Sequence, residues 1–505
     1  MYRSLQDYIK LLESKGELIR IKEFTNPLLE IAAYTDRICK SPDGGKALLF
    51  ENTGTRFPVL TNMYGSEQRM KYAIGVDSFE DISERIKEFT GELPSSKKGI
   101  VNTFKMFRLI NDISKWFPVD FKGQAPCQES VQYNARLSTL PILKCNPADA
   151  GQFITMPMVN TCNPLTGARN VETVRMQIFS DTTSSIHWHA HSTGAGFLAG
   201  SSHRLPVAIC LGGDPVYNYL AKTHFQEEID KYLLAGFLRD KPVELVQCFT
   251  QDLKVPADCD FVIEGYVQKS EVKALEGAFN DYTGCISPAG MYPVFHVTCI
   301  SHRMDAVYPA IVPGIPPQEC QYFNPASEKI FLSTIKTVIA PEITDIHIRE
   351  EGTEENIIIV KIDKRYDGQP FKVANALWGF QQMMFNKLMV IVDGDTDIRD
   401  RNSVKSAILN NYSPERDTLI SRGAARDSDH SSSVGGVVGK LCIDATSHNA
   451  TYSRKEISEV IQIIYDKEEQ NSSDYRKLWL LGINCNPERD AAIKEGILTL
   501  DARSK

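Results

Sequence analysis

Residues 170–191, NVETVRMQIFSDTTSSIHWHAH, set an amide, a guanidinium and three imidazoles within one short stretch. Arg175, Gln177 and Phe179 alternate with Val174, Met176 and Ile178, the period of two that predicts a half-buried strand over residues 171–179. Asp181, Thr182 and Thr183 read as a turn. Beyond it, His187, His189 and His191 share one face of a second expected strand and Ile186, Trp188 and Ala190 the other, because strand side chains alternate sides. Imidazoles in this pattern serve a metal or a phosphate, Asn170 adds a carbonyl oxygen, and Arg175 is suited to hold a carboxylate bidentately. The same residues also describe an exposed polar strand face beside a salt-bridged arginine, and spacing alone leaves both readings open.

A second constellation is Glu276-Gly277-Ala278-Phe279-Asn280-Asp281-Tyr282-Thr283-Gly284. Two carboxylates separated by turn formers can converge on one pocket and couple their titrations, holding one protonated for general acid work. An acid-rich solvated loop is the plainer reading of the same residues. A third, Asp393-Gly394-Asp395-Thr396-Asp397, follows a buried-type strand. It lacks the spacing of a twelve-residue calcium loop, which favours a solvated turn over a Mg²⁺ or Ca²⁺ cluster.

The elements that must position these groups need more than one core, since 505 residues exceed what a single core serves. With 56 basic and 64 acidic residues, a formal charge of -8 and no long basic run, nothing in the composition suggests nucleic acid or an anionic membrane as the main partner. MYRSLQDYIK is not a signal peptide and no apolar stretch reaches membrane-spanning length, so a cytoplasmic protein is expected. Twelve cysteines without a CxxC pair are expected as free thiols, not as a zinc site. Helices are expected near 5–16, 27–39, 83–90 and 102–116, a Pro/Ser/Lys-rich loop at 93–98, and strands at 18–21, 47–50 and 58–60. From residue 131 to 311 the pattern changes to short strands, near 155–159, 171–179, 207–211, 243–248, 261–268 and 294–300, with an inserted helix over 226–238. Strands at 357–362 and 388–392 then bracket a helix over 372–385, and a Ser/Gly-rich loop covers 428–438.

The ordered pieces resemble the UbiD-like carboxy-lyases, which use prenylated FMN to decarboxylate aromatic or α,β-unsaturated acids. The likeness runs from Leu5-Gln6-Asp7-Tyr8 through Ala47 to Asn52, then Asn170 with Arg175 and His191. It continues with Glu264-Gly265-Tyr266, Glu276 with Asp281, Trp378-Gly379, Lys387 before Val390-Ile391-Val392-Asp393, and Ile443-Asp444-Ala445-Thr446. It implies an α/β plus β fold: an N-terminal α/β domain over 1–125 and a central split β-barrel of flavin-reductase-like type over 126–320. A C-terminal α/β domain over 321–470 and a helical tail over 471–505 would complete it. It implies Arg175, Glu276 and Asp281 as the catalytic set: Arg175 holds the substrate carboxylate, Glu276 relays protons beside it, and Asp281 protonates the carbon that loses CO₂. Asn170 and His191 would ligate a divalent metal, commonly Mn²⁺. The cofactor surface would also include Arg175, Gln177, His189, Lys231 and Lys387, with K⁺ as a further ion. Implied partners are a hydroxybenzoate- or hydroxynaphthoate-type acid, a flavin prenyltransferase that supplies the cofactor, and further copies in a dimer or hexamer. The setting would be quinone biosynthesis or aromatic-acid metabolism.

The chain departs from that pattern where the family usually carries a metal-ligating glutamate before a tyrosine; Lys231 stands there, before Tyr232. An ammonium donates and does not ligate, so either it neutralises the phosphate directly or Asp230 or Glu228 replaces the ligand. Ala278, Asn280 and Tyr282 also replace a usual proline, glycine and histidine. An active decarboxylase and a catalytically impaired paralogue, serving a multi-component carboxylase or binding flavin, therefore both stay open.

Overall fold

The computed structural model describes residues 4–91, 113–223, 229–426, 428–432, 436–448 and 452–504. The expected loop at 93–98, most of the helix over 102–116, the first turn of that over 226–238, and Glu228 lie outside them. The protein divides into two units, Met1–Gly314 with Gln318–Phe323, and Ile315–Pro317 with Asn324–Lys505.

The first unit begins with helix Leu5–Ser14, whose N-cap Ser4 accepts from the Asp7 amide and whose buried face is Leu5, Tyr8, Ile9 and Leu12. That is the spacing of one helical stripe. Strands Leu18–Phe24, Ala47–Asn52, Val59–Thr61 and Tyr308–Pro309 form one sheet, the first two in parallel. A larger antiparallel sheet follows the order Thr183–Ser185, Val294–His302, Phe261–Gln268, Arg204–Leu211, Met158–Cys162, Arg169–Glu172, with Ser130–Gln132 also paired to Val294–His302. Leu205, Val207, Ile209 and Leu211, at alternate positions, meet Phe261, Ile263 and Val267 in the core. The pairing slips by one residue between Glu264 and Gly265, where a Cβ would lie 2.0 Å from the His296 carbonyl oxygen, so the approach requires glycine.

No closed barrel is detected where a split barrel is expected: among the described residues this sheet is open, and its end strands do not pair with each other. The strand expected over 171–179 breaks at residues 173–175. Arg169–Glu172 stays on Met158–Cys162, whereas Met176–Gln177 pairs with Phe153–Ile154. The strand expected through the histidines ends at Ser185. Helix Lys231–Arg239 is capped by the Asp230 carboxylate, which accepts from the Tyr232 amide, and ends at Asp240 in the left-handed region.

The second unit holds a five-stranded sheet in the order Ile343–Ile348, Ile357–Ile362, Leu388–Asp393, Val437–Asp444, Thr418–Ala424. Its inner three strands are parallel and its edges antiparallel. The near-continuous apolar runs of the inner strands are those of strands covered on both faces. The helix expected over 372–385 is Gln369–Trp378, stopped at Gly379 and followed by a 3₁₀ segment. The acidic run at 393–397 is a turn: Asp393 accepts from the Ser447 amide at 2.5 Å and Asp397 from the Arg399 amide at 3.0 Å. The tail is not all helical. Helix Asp474–Asn484 is followed by strands Ala491–Lys494 and Ile497–Asp501, joined at Gly496 with φ of 74° and burying Leu498 and Leu500. Alternating apolar residues about a left-handed glycine turn favour a hairpin over a helix. None of the twelve cysteines forms a disulfide, and among the described residues no helix is long and apolar enough to cross a membrane.

Candidate active site

Residues 175–178 and 184–187 run antiparallel. The His187 amide donates to the Arg175 carbonyl at 3.2 Å and Ile178 bridges Ser184. In that register Arg175 lies opposite His187 and Gln177 opposite Ser185, so four polar side chains share one face. Glu276, at the end of strand Ala274–Glu276, docks against this face, fully buried. Its Oε1 accepts from Arg175 Nε at 2.9 Å and lies 2.6 Å from His187 Nδ1, while Oε2 accepts from the Ser185 hydroxyl at 2.6 Å.

Burial pushes the Glu276 carboxyl up, but His187, the Arg175 guanidinium and the Ser185 hydroxyl together outweigh it and hold it below the usual carboxylate value. Burial pushes the His187 imidazole down to about 4, against the pull of Glu276. The pair is therefore an anionic carboxylate facing a neutral imidazole, and since a carboxylate only accepts, Nδ1 carries the proton. Glu276 is thus held ionised.

The loop after Glu276 is fixed by backbone. The Gly277 amide donates to Gln177 Oε1 at 2.7 Å, and a Cβ on Gly277 would lie 2.0 Å from that of Ala150. The Arg175 guanidinium sits 4.9 Å from the centre of the Phe279 ring. Asp281, also buried, accepts from the Thr283 amide at 2.8 Å and from the Thr283 and Ser287 hydroxyls, so its carboxylate is oriented by its own hairpin. Although the histidines are not on a strand, their rings form a column: Tyr292 stacks on His187 at 4.0 Å, His189 meets His187 edge-on at 4.6 Å, and His191 stacks on His189 at 5.3 Å.

Asn170 Nδ2 donates to the Thr161 hydroxyl at 3.3 Å, and His191 is exposed. Lys231 opens its helix and donates to the Ala221 carbonyl at 3.2 Å. Burial pushes its ammonium down to about 8, with Glu172 pulling the other way. Glu172, one strand step beyond Asn170 on the same face, accepts from the Gly194 amide at 3.0 Å; burial raises its carboxyl and Lys231 opposes the rise. In the second unit, the buried Lys387 ammonium donates to Asp429 at 3.1 Å and to the Ser431 hydroxyl at 3.0 Å. Sequence reasoning grouped His187 with the imidazoles that serve a metal or a phosphate, whereas it meets Glu276, and it missed Ser185, Glu172 and Tyr292. The first two were signalled by standing two residues from His187 and Asn170; nothing local pointed to Tyr292.

Three family descriptions match in order along the chain. They are the 3-octaprenyl-4-hydroxybenzoate carboxy-lyase N-terminal domain over residues 9–86, the Rift-related domain over 120–316 and the C-terminal domain over 321–445. An uncharacterised protein of Aquifex aeolicus is 42% identical over 450 residues, covering 88% of this chain and 92% of its own length. One of Archaeoglobus fulgidus is 40% identical over 451 residues, covering 88% and 92%. The vanillic acid decarboxylase of Sedimentibacter hydroxybenzoicus in its closed form has a TM-score of 0.79 at 25% identity, covering 91% of this chain and 97% of that one. The UbiD-class enzyme HmfF of Pelotomaculum thermopropionicum, in complex with FMN, has a TM-score of 0.73 at 26% identity, covering 88% and 94%. All three domain types, matched in order and with relatives of this identity over most of the length, place the chain in the UbiD family of carboxy-lyases.

Proposed function

We propose that the protein decarboxylates an aromatic acid of hydroxybenzoate or hydroxynaphthoate type with the help of prenylated FMN. The observation that carries this reading is the way Glu276 engages Arg175. It takes Nε alone, which leaves the two terminal nitrogens outside that pair and suited to a substrate carboxylate in bidentate fashion. Glu276, ionised and immobile, fixes the guanidinium. Asp281, oriented by Thr283 and Ser287, delivers the proton that replaces CO₂. The surroundings suit a flavin: His189 and His191, stacked on each other, offer π faces, and Asn170, His189, His191 and Lys231 are the groups that would meet its phosphate. When bound, the prenylated flavin supplies the electron sink that loss of CO₂ requires.

A divalent ion suits this donor set poorly. Asn170 and His191 offer one amide and one imidazole, but Lys231 puts an ammonium where a third ligand is needed, and the nearby carboxylate, Glu172, already balances that ammonium. A second cation would add like-charge repulsion with no further anion to offset it. On this reading Lys231 takes the ion's place and would donate to the phosphate, the phosphate sharing with Glu172 the role of counter-charge. The same ammonium favours the second reading, a paralogue that binds flavin without turnover.

Turnover separates the two readings. Protein co-produced with a flavin prenyltransferase and purified without oxygen is expected to release CO₂ from a panel of hydroxybenzoates and hydroxynaphthoates. Flavin-loaded protein that releases none sinks the enzyme reading. Wild-type protein is expected to carry less than one Mn²⁺ per chain, and Lys231→Glu to raise that content; one tightly held Mn²⁺ in the wild type overturns the role given to Lys231.

A further inference from the structure

We infer that His187 is a positioning residue that sets the direction of the Arg175 guanidinium through Glu276; the catalytic consequence rests on the decarboxylase reading, the geometry does not. Glu276 Oε1 is shared by Arg175 Nε at 2.9 Å and His187 Nδ1 at 2.6 Å, and among the described residues Oε2 is held by Ser185 alone. Without the imidazole the carboxylate keeps one neutral donor and one cation, and it can turn about its side-chain bonds and carry Arg175 with it. The imidazole itself has little freedom. Its backbone amide is tied to the Arg175 carbonyl, its ring lies on Tyr292 and against His189, and the residue is 4% exposed. The titratable and charged groups around Glu276 are Arg175 and His187, with His189 and His191 behind the latter and Tyr292 on the strand paired to that of Glu276. The tautomer is dictated: a proton on Nε2 alone would set two lone pairs against each other at Nδ1.

Three substitutions separate the donor from the bulk. Asparagine places an amide N–H near the position of Nδ1, glutamine places it near Nε2, and leucine fills the space with no donor. Loss of a hydrogen bond to an ionised group corresponds to about a 10- to 100-fold fall in kcat/KM for His187→Leu and His187→Gln, with His187→Asn staying close to wild type. A second readout needs no turnover. In ¹⁵N-labelled free protein at pH 7, His187 is expected as the neutral Nδ1–H tautomer, and the Arg175 Nε–H to exchange slowly in the wild type and His187→Asn but rapidly in His187→Leu and His187→Gln. Should one of the last two fail to fold, the other still decides. An Nε2–H tautomer, or slow Arg175 Nε–H exchange in a folded variant without the donor, overturns the proposal. If loaded wild type releases no CO₂ while the exchange pattern holds, the decarboxylase reading fails and the positioning role stands.

Discussion

Ser185 holds two parts of the site through one oxygen, and its removal gives a quantitative test of how the site is built. The hydroxyl donates to Glu276 Oε2 at 2.6 Å and accepts from the Gln177 amide at 2.7 Å, and the residue is fully buried. Ser185→Ala deletes a hydrogen bond to an ionised carboxylate, about 1.5–3 kcal/mol, and strands the Gln177 N–H, about 1–3 kcal/mol. Together these give a destabilisation of about 2.5–6 kcal/mol, far above that of an ordinary surface serine. Denaturant unfolding of the first unit, followed by hydrogen exchange of the peptide that contains Gln177, measures it. In a Glu276→Gln background the Ser185 hydrogen bond is neutral, worth about 0.5–1.5 in place of about 1.5–3 kcal/mol, so the same truncation is expected to cost about 1–1.5 kcal/mol less, a coupling that a double-mutant cycle reads directly. A cost below about 1 kcal/mol in both backgrounds, or an equal cost in the two, refutes the arrangement.

Gly277→Ala drives a Cβ to within 2.0 Å of that of Ala150, so it is expected to displace the Glu276 loop and lower activity; adding Ala150→Gly should restore it, and failure of that rescue removes the steric explanation. His187 has an ordinary value of 6.5 that burial pushes down to about 4, so between those values the unfolded chain binds a proton that the folded protein does not. The residue's contribution is thus complete above pH 6.5 and is lost as pH falls to 4, about 3 kcal/mol in all, and the stability gap between wild type and His187→Asn should shrink over that window. A gap that does not change with pH contradicts the neutral imidazole. Arg175→Ala is expected to raise KM for the acid and Asp281→Asn to lower kcat with KM little changed; equal, unaltered turnover in both sinks the assigned roles.

The sequence by itself determined which residues share a face. Alternation put Arg175 with Gln177 on one face, and that parity survives although the regular strands stop at Glu172, Gln177 and Ser185. Buried apolar runs likewise announced strands Ile357–Ile362 and Leu388–Asp393, because burial on both faces leaves a continuous signature along the chain. Tertiary structure decided what each face meets. That the chain leaves one sheet at residues 173–175 to pair with Phe153–Ile154 depends on a partner strand elsewhere in the chain, which no local period records. The same holds for Glu276, brought to Arg175 and His187 across a large sequence separation, and for Glu172 beside Lys231, two residues whose charges balance only once strand and helix have packed. Local composition sets side-chain direction and burial, whereas ionisation is set by whichever groups the fold brings near. Glu276 could therefore be found in the sequence as a carboxylate, but its being held charged could be found only in the structure.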